Sequence, residues 1–174
     1  ALSAPTNFKS AFDFPHITAD KGCTAVSTWV ERIGDMTTWT CSSMQVDVTS
    51  AVKDATMLVF VMPHQFLART CPKITGMAPG CRAVSLIKGI EFEEEGPQLI
   101  SKMIKDEMGG MDVSVLMGAN VANEMASDAF CETTIGYVVK ANGDLFKLAF
   151  DCAVCSSRRT AAHSRPVSYT HQTQ

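Results

Sequence analysis

Three groups of residues in this chain have the types and positions suited to chemistry on a polar ligand. Pro63-His64-Gln65-Phe66 follows an apolar run, and Phe66, one turn beyond a strand end, offers a flat apolar face for a ring. Lys88 stands just past a second apolar run. A fixed cation there can dock a phosphorylated anion, or polarise an oxygen that gains charge during a reaction. Gly118-Ala119-Asn120 follows a third run, and its glycine lets backbone N–H groups come close to an anionic or polar ligand. Each group also has a plain reading by position alone. A lysine after a strand is usually a solvated charge, Phe66 a core residue, His64 a capping or surface histidine, and Gly118 turn chemistry. A fourth group, Cys152-Ala-Val-Cys155 with His163 and His171 downstream, has C-x-x-C spacing. It follows a helical segment instead of opening one, and its histidines are wider apart than in common zinc sites. No metal or redox role is assigned to it.

The first three groups are positioned by three apolar runs: Met57 to Met62, Ala83 to Ile87 and Val113 to Met117. Runs this short, rich in aliphatic and β-branched residues, suit strands buried on both faces. Their alternation with helix-like segments predicts a parallel sheet with right-handed crossovers. Ligands of such sheets bind beyond the carboxyl ends of the strands, so the three corners are expected to line one edge.

The remaining chain is read as follows. Residues 1–24 are unassigned, although Phe8, Phe12 and Phe14 could form a small apolar patch. A strand is expected at Ala25–Val30, irregular structure from Met36 to Met44, and a short alternating run over Gln45–Val48. Thr49-Ser50 is expected to cap a helix over Ala51–Ala55. Gln65–Thr70 begins a helix, Pro79-Gly80 turns the chain, and Glu91 to Glu95 is an acidic loop. Gly96-Pro97 opens a helix whose apolar face is Leu99, Ile100, Met103, Ile104 and Met108, and Gly109-Gly110 ends it. Asn120–Ser127 is expected to be helical and Cys131–Val139 a strand. Asn142-Gly143 is expected to turn the chain before a helix over Asp144–Asp151. Cys152 to Gln174 has no apolar periodicity and the composition of a disordered tail.

The 174 residues allow one ordinary domain or a piece of something larger, and 46% hydrophobic with 19% charged residues is a globular balance. Net charge is −3, which points to neither nucleic acid nor an acidic membrane as partner. It divides into −6 over residues 1–151 and +3 over residues 152–174. Seven scattered cysteines show no disulfide framework, so a reducing compartment, the cytoplasm, is expected. No apolar run approaches the roughly 18 residues of a membrane helix. The chain begins at Ala1 without a signal pattern, and its amino end is expected to be missing.

Four motifs resemble the cytosolic NAD-dependent glycerol-3-phosphate dehydrogenases, in that family's order and at nearly its spacing. They are Val59-Phe-Val-Met-Pro-His-Gln-Phe66, Ser85-Leu-Ile-Lys-Gly-Ile90, Ser114-Val-Leu-Met-Gly-Ala-Asn-Val-Ala122 and Phe130-Cys-Glu-Thr-Thr-Ile-Gly136. The resemblance is close from Ser50 to Asp151, loose from Ala25 to Val48, and absent from Cys152 onward. It implies an α/β fold, an incomplete Rossmann-like three-layer domain with a mostly parallel sheet, over residues 25–151. It also implies NAD as cofactor, dihydroxyacetone phosphate and glycerol 3-phosphate as substrates, and a homodimer. Hydride would pass between the nicotinamide and the central carbon of the triose. By the resemblance Phe66 lies against the cofactor, Lys88 contacts substrate and cofactor, and Ala122 touches the cofactor through its backbone, with Asn120 beside it.

The chain departs from the family in three places. The Gly-rich phosphate fingerprint, G-x-G-x-x-G after a first strand, is not in the sequence. Glu31 stands where the family has an aromatic cofactor contact. The carboxy-terminal helical domain, which in the family supplies the general acid/base lysine and an arginine for the substrate phosphate, has no counterpart, so no catalytic residue is assigned. Residues 152–174 are expected to be an out-of-frame or foreign extension. The expected function is therefore a partial glycerol-3-phosphate dehydrogenase without turnover. A non-catalytic nucleotide-binding or interaction module derived from that domain is the alternative.

Overall fold

The computed structural model describes residues 6–12, 25–33, 36–45, 47–93, 96–121, 124, 127, 129–151 and 155–161. Met57–Val61 (β4) is the strand around which these residues are layered. Leu58 and Phe60 point to one face and pack with Leu67, Ile74, Ala83, Ile100 and Ile104. Met57 and Val59 point to the other and pack with Val84, Leu116, Ile135, Phe146 and Ala149. A strand whose successive side chains are all apolar can bury both faces, and here it does. The result is the expected three-layer α/β arrangement.

The main sheet, among the described residues, has eight strands. Arg82–Ser85 (β5) pairs parallel with β4, and Val113–Ala119 (β8) pairs parallel with β5. These are the three apolar runs read from the sequence. Cys131–Tyr137 (β9) lies antiparallel beyond β8. On the other side of β4, Thr6–Phe12 (β1) pairs parallel with it, followed by the antiparallel strands Ala25–Ile33 (β2) and Met36–Gln45 (β3). Val48–Val52 (α1), Leu67–Thr70 (α2) and Ile100–Glu107 (α3) contribute to the first core, and Lys140–Phe150 (α4) to the second.

Several local expectations are corrected. The unassigned amino segment contains β1, which pairs parallel with β4. Met36–Met44, expected to be irregular, lies within β3. Its threonines, Trp39 and Cys41 are compatible with a strand, and β2 supplies the partner that the local pattern could not reveal. The first helix is capped by Asp47, not by Thr49-Ser50: Asp47 Oδ2 accepts from Ser50 N and Ser50 Oγ, each at 2.8 Å. The cap splits the alternating run, leaving Gln45 in β3 and Val48 in α1.

The acidic loop and the expected helix start at Gly96-Pro97 instead form a hairpin, Ile90–Glu93 (β6) with Gly96–Leu99 (β7). Gly96 has φ +117°, outside helical space, and Pro97 is tolerated because a two-stranded ribbon leaves one side of each strand unpaired. Helix α3 therefore starts at Ile100, and Met108 is its C-cap, followed by Gly109 and Gly110 at positive φ. Asn142-Gly143 is inside α4, not a turn. Asn142 Oδ1 accepts from Arg82 Nε and its Nδ2 donates to Asp112 Oδ2, both at 2.6 Å. Gly143 lies under Tyr137, where a Cβ would come within 2.4 Å of the ring.

The tail is also corrected in part. Cys155–Ala161 (β10) adds parallel to β9 as the outermost strand. Strand addition uses main-chain hydrogen bonds, so it does not require the apolar face this segment lacks. Residues 162–174 lie outside the described residues, as do residues 122, 123, 125 and 126 of the helix expected at Asn120–Ser127.

Candidate functional site beyond the carboxyl ends of β4, β5 and β8

Each candidate side chain leaves the sheet just past one of three neighbouring parallel strands. After β4, Pro63 ends the ladder and a single 3-10 turn, His64–Phe66, follows. Phe66 N donates to Pro63 O at 3.1 Å. Phe66 is 40% exposed, so it is not a core residue, and the Arg69 guanidinium stands 5.0 Å from the centroid of its ring. After β5, Leu86 N donates to Phe60 O at 2.9 Å and Ile87 is buried, which aims the exposed Lys88 out of the sheet. Lys88 Nζ donates to Gly118 O at 3.4 Å, a long hydrogen bond that links the ends of β5 and β8. Gly118 has φ +141°, and Asn120 is the first residue beyond β8.

Asn120 Oδ1 is buried and has no hydrogen-bond partner among the described residues. A buried amide oxygen without a partner is costly, and a ligand donor would relieve it. An aromatic face, an ammonium group and an unpaired acceptor thus stand at the ends of adjacent strands. Ala122 lies outside the described residues. Two further contacts were not read from the sequence, one joining segments distant in the chain and one between residues three apart. Glu91, expected in a loop, meets His64 Nε2 through Oε2 at 2.7 Å, and Arg69 covers one side of Phe66.

Among the described residues, Cys71 and Cys81 show no sign of nucleophilic activation. Burial pushes the thiols of Cys71 and Cys81 up to about 11, and Cys131 is buried. Among the described residues no group of His, Cys, Asp and Glu could hold a metal, and no helix is long and apolar enough to cross a membrane.

A mostly parallel sheet, covered by helices on both faces and with polar groups gathered past its strand ends, is the architecture of nucleotide-binding α/β domains. Residues 29–142 match the family described as NAD-dependent glycerol-3-phosphate dehydrogenase N-terminus, and the chain belongs to that family. Glycerol-3-phosphate dehydrogenase 1-like protein of Homo sapiens is 55% identical over 102 residues, which are 58% of this chain and 29% of the relative. The chloroplastic NAD(+) enzyme 1 of Arabidopsis thaliana is 51% identical over 92 residues, 52% of this chain and 23% of the relative. The cytoplasmic enzyme of Bos taurus is 47% identical over 102 residues, 58% of this chain and 29% of the relative. The solved Plasmodium falciparum glycerol-3-phosphate dehydrogenase superposes with a TM-score of 0.63 at 30% identity, covering 67% of this chain and 33% of that one. The chain thus spans less than a third of the length of these curated relatives.

The residues present fit a ring of NAD better than its phosphates. Phe66, Lys88 and the unpaired Asn120 oxygen suit a ring and its polar substituents. The segment after β1, residues 13–24, contains a single glycine, Gly22, so it cannot supply the glycines of a pyrophosphate cradle.

Proposed function

We propose that this chain is the cofactor-binding part of an NAD-dependent glycerol-3-phosphate dehydrogenase, and that it has no turnover by itself. The observation that supports this most directly is the Lys88 ammonium at 3.4 Å from Gly118 O, spanning the ends of β5 and β8 beside Asn120. Phe66 and Asn120 would hold the nicotinamide side of NAD, with the backbone at Ala122 alongside. Lys88 would face both the cofactor and a phosphorylated triose. Bound NADH would supply the hydride that reduces the central carbonyl of dihydroxyacetone phosphate to sn-glycerol 3-phosphate. Lys88 would stabilise the charge growing on that oxygen, which is the strongest use of a preorganised cation. The proton would come from a residue that has no counterpart among those assigned here. The expected partners are these small molecules and, for a complete enzyme, a second copy, with neither nucleic acid nor membrane. The expected compartment is the cytoplasm.

The missing phosphate fingerprint favours one other reading, a nucleotide-binding or interaction module without catalysis. Fluorescence titration with NADH bears on both. Binding weaker than micromolar is expected, because a dinucleotide gains much of its affinity from the pyrophosphate cradle. Millimolar NADH should shift NMR signals of Phe66, Lys88 and Asn120, and Lys88→Ala should remove that response. No response at these residues would refute the proposed site, and oxidation of NADH by dihydroxyacetone phosphate would refute the lack of turnover. Restored turnover on in-frame fusion to a helical catalytic domain from a relative would exclude the non-catalytic module.

A further inference from the structure

Lys88 is strung between two anchors of different kinds. On its amino side the chain is fixed by the sheet: Ile87 is buried and its N–H donates to Ser85 Oγ at 3.3 Å. On its carboxyl side the chain passes Gly89, at φ +132°, and enters the β6–β7 hairpin. No atom lies within 4 Å of a Cβ built on Gly89, so the glycine is required by backbone conformation, not by space. The far strand of the hairpin is held where β7 runs into α3 at the buried Ile100, which leaves the near strand, next to Lys88, to be placed by side-chain contacts. The hairpin is tied by Glu91, opposite Gln98 near its base, whose carboxylate meets His64 Nε2 at 2.7 Å. The two side chains are 28% and 35% exposed, so the contact is partly shielded from water. It joins two corners: the turn that presents Phe66 and the segment that presents Lys88.

From this geometry we infer that His64 and Glu91 are a positioning pair, clasping the hairpin against the corner beyond β4 and so fixing the place of the Lys88 ammonium relative to Phe66. The clasp touches neither cofactor nor substrate. It acts through Lys88, and its value to the protein rests on the proposed role of that lysine. It also explains why a histidine follows Pro63: the ring reaches outward from a 3-10 turn to a carboxylate that the sheet itself does not hold.

Hydrogen exchange on the full chain, without ligand, tests the clasp. His64→Ala and Glu91→Gln should each speed exchange of the β6 and β7 amides about two- to fivefold, the range for one partly exposed polar side-chain contact. The double variant should be no faster than either single one, because both lose the same contact. His64→Lys, which again offers an N–H donor to the Glu91 carboxylate, should restore protection, while exchange in β4 and β8 stays unchanged. Unchanged hairpin exchange, or faster exchange spread over the whole sheet, would overturn the inference. A separate NADH titration read by NMR at Phe66 and Asn120 distinguishes the two readings. If Lys88→Ala leaves the NADH response intact while the hairpin loosens as expected, the proposed site falls and the clasp stands.

Discussion

Gly118 marks where a single atom decides whether the site can exist. A Cβ there would lie 2.3 Å from Glu132 O and 2.9 Å from Thr133 Cα, both backbone atoms of the neighbouring strand, and φ is +141°. Neither obstruction can move without breaking the β8–β9 ladder, so Gly118→Ala should cost about 2–3 kcal/mol in chemical denaturation. Asp47 acts by charge instead. Its hydrogen bonds from the Ser50 side chain and backbone hold its carboxyl below the usual 3.8. A depressed carboxyl stabilises the folded state above the unfolded-state value, and that contribution is lost as pH falls through the folded one. The stability gap between wild type and Asp47→Ala should therefore be full at neutral pH and shrink in melts below about pH 4. Lys88 belongs at this scale too: Lys88→Ala should leave the fold intact and remove the NADH response at the strand ends.

At the scale of elements, β10 is the piece whose role is least like its composition. Ser157 is buried and exchanges a 2.9 Å hydroxyl bond with Thr133, while its N–H donates to Asp151 Oδ1 at 3.0 Å. Arg158 meets Glu132 at 2.9 Å, and Arg159 pairs with Asp144 on α4. The surface ion pairs add little by themselves, whereas the ladder and the buried hydroxyl pair are specific. Deleting residues 152–174 should expose the β9 edge and lower Tm by at least about 5 °C, with more aggregation on heating. An unchanged Tm would mean that β10 contributes nothing to the folded state. Whatever the origin of this segment, its described part, Cys155–Ala161, serves as a strand.

Across the whole molecule, stability and site share one support. The two apolar clusters meet through β4, whose alternate residues enter opposite layers. Phe60, fully buried, should cost about 3–5 kcal/mol when replaced by Ala. Much of a domain's margin is of that size, so NADH-dependent signals should vanish together with the unfolding transition measured by circular dichroism. The uneven charge also finds a use. The basic segment 152–174 contributes Arg158 and Arg159, which pair with carboxylates of the acidic remainder.

Within the sequence alone lay the three parallel strands and the corner residues Phe66, Lys88 and Asn120, although only alternate residues of the third strand, Ser114 and Leu116, are buried. Short apolar runs and the turn residues that stop them are local signals, and the four motifs fix their family. Tertiary structure alone decided the rest. Met36–Gln45 became a strand because β2 lies beside it, Cys155–Ala161 because β9 offered an open edge, and Gly96-Pro97 a hairpin because Ile90–Glu93 pairs with it. Asn142-Gly143 entered a helix because Arg82, Asp112 and Tyr137 meet it there. His64 and Glu91 found each other for the same reason: pairing across distant segments is stabilised by partners that no local window contains.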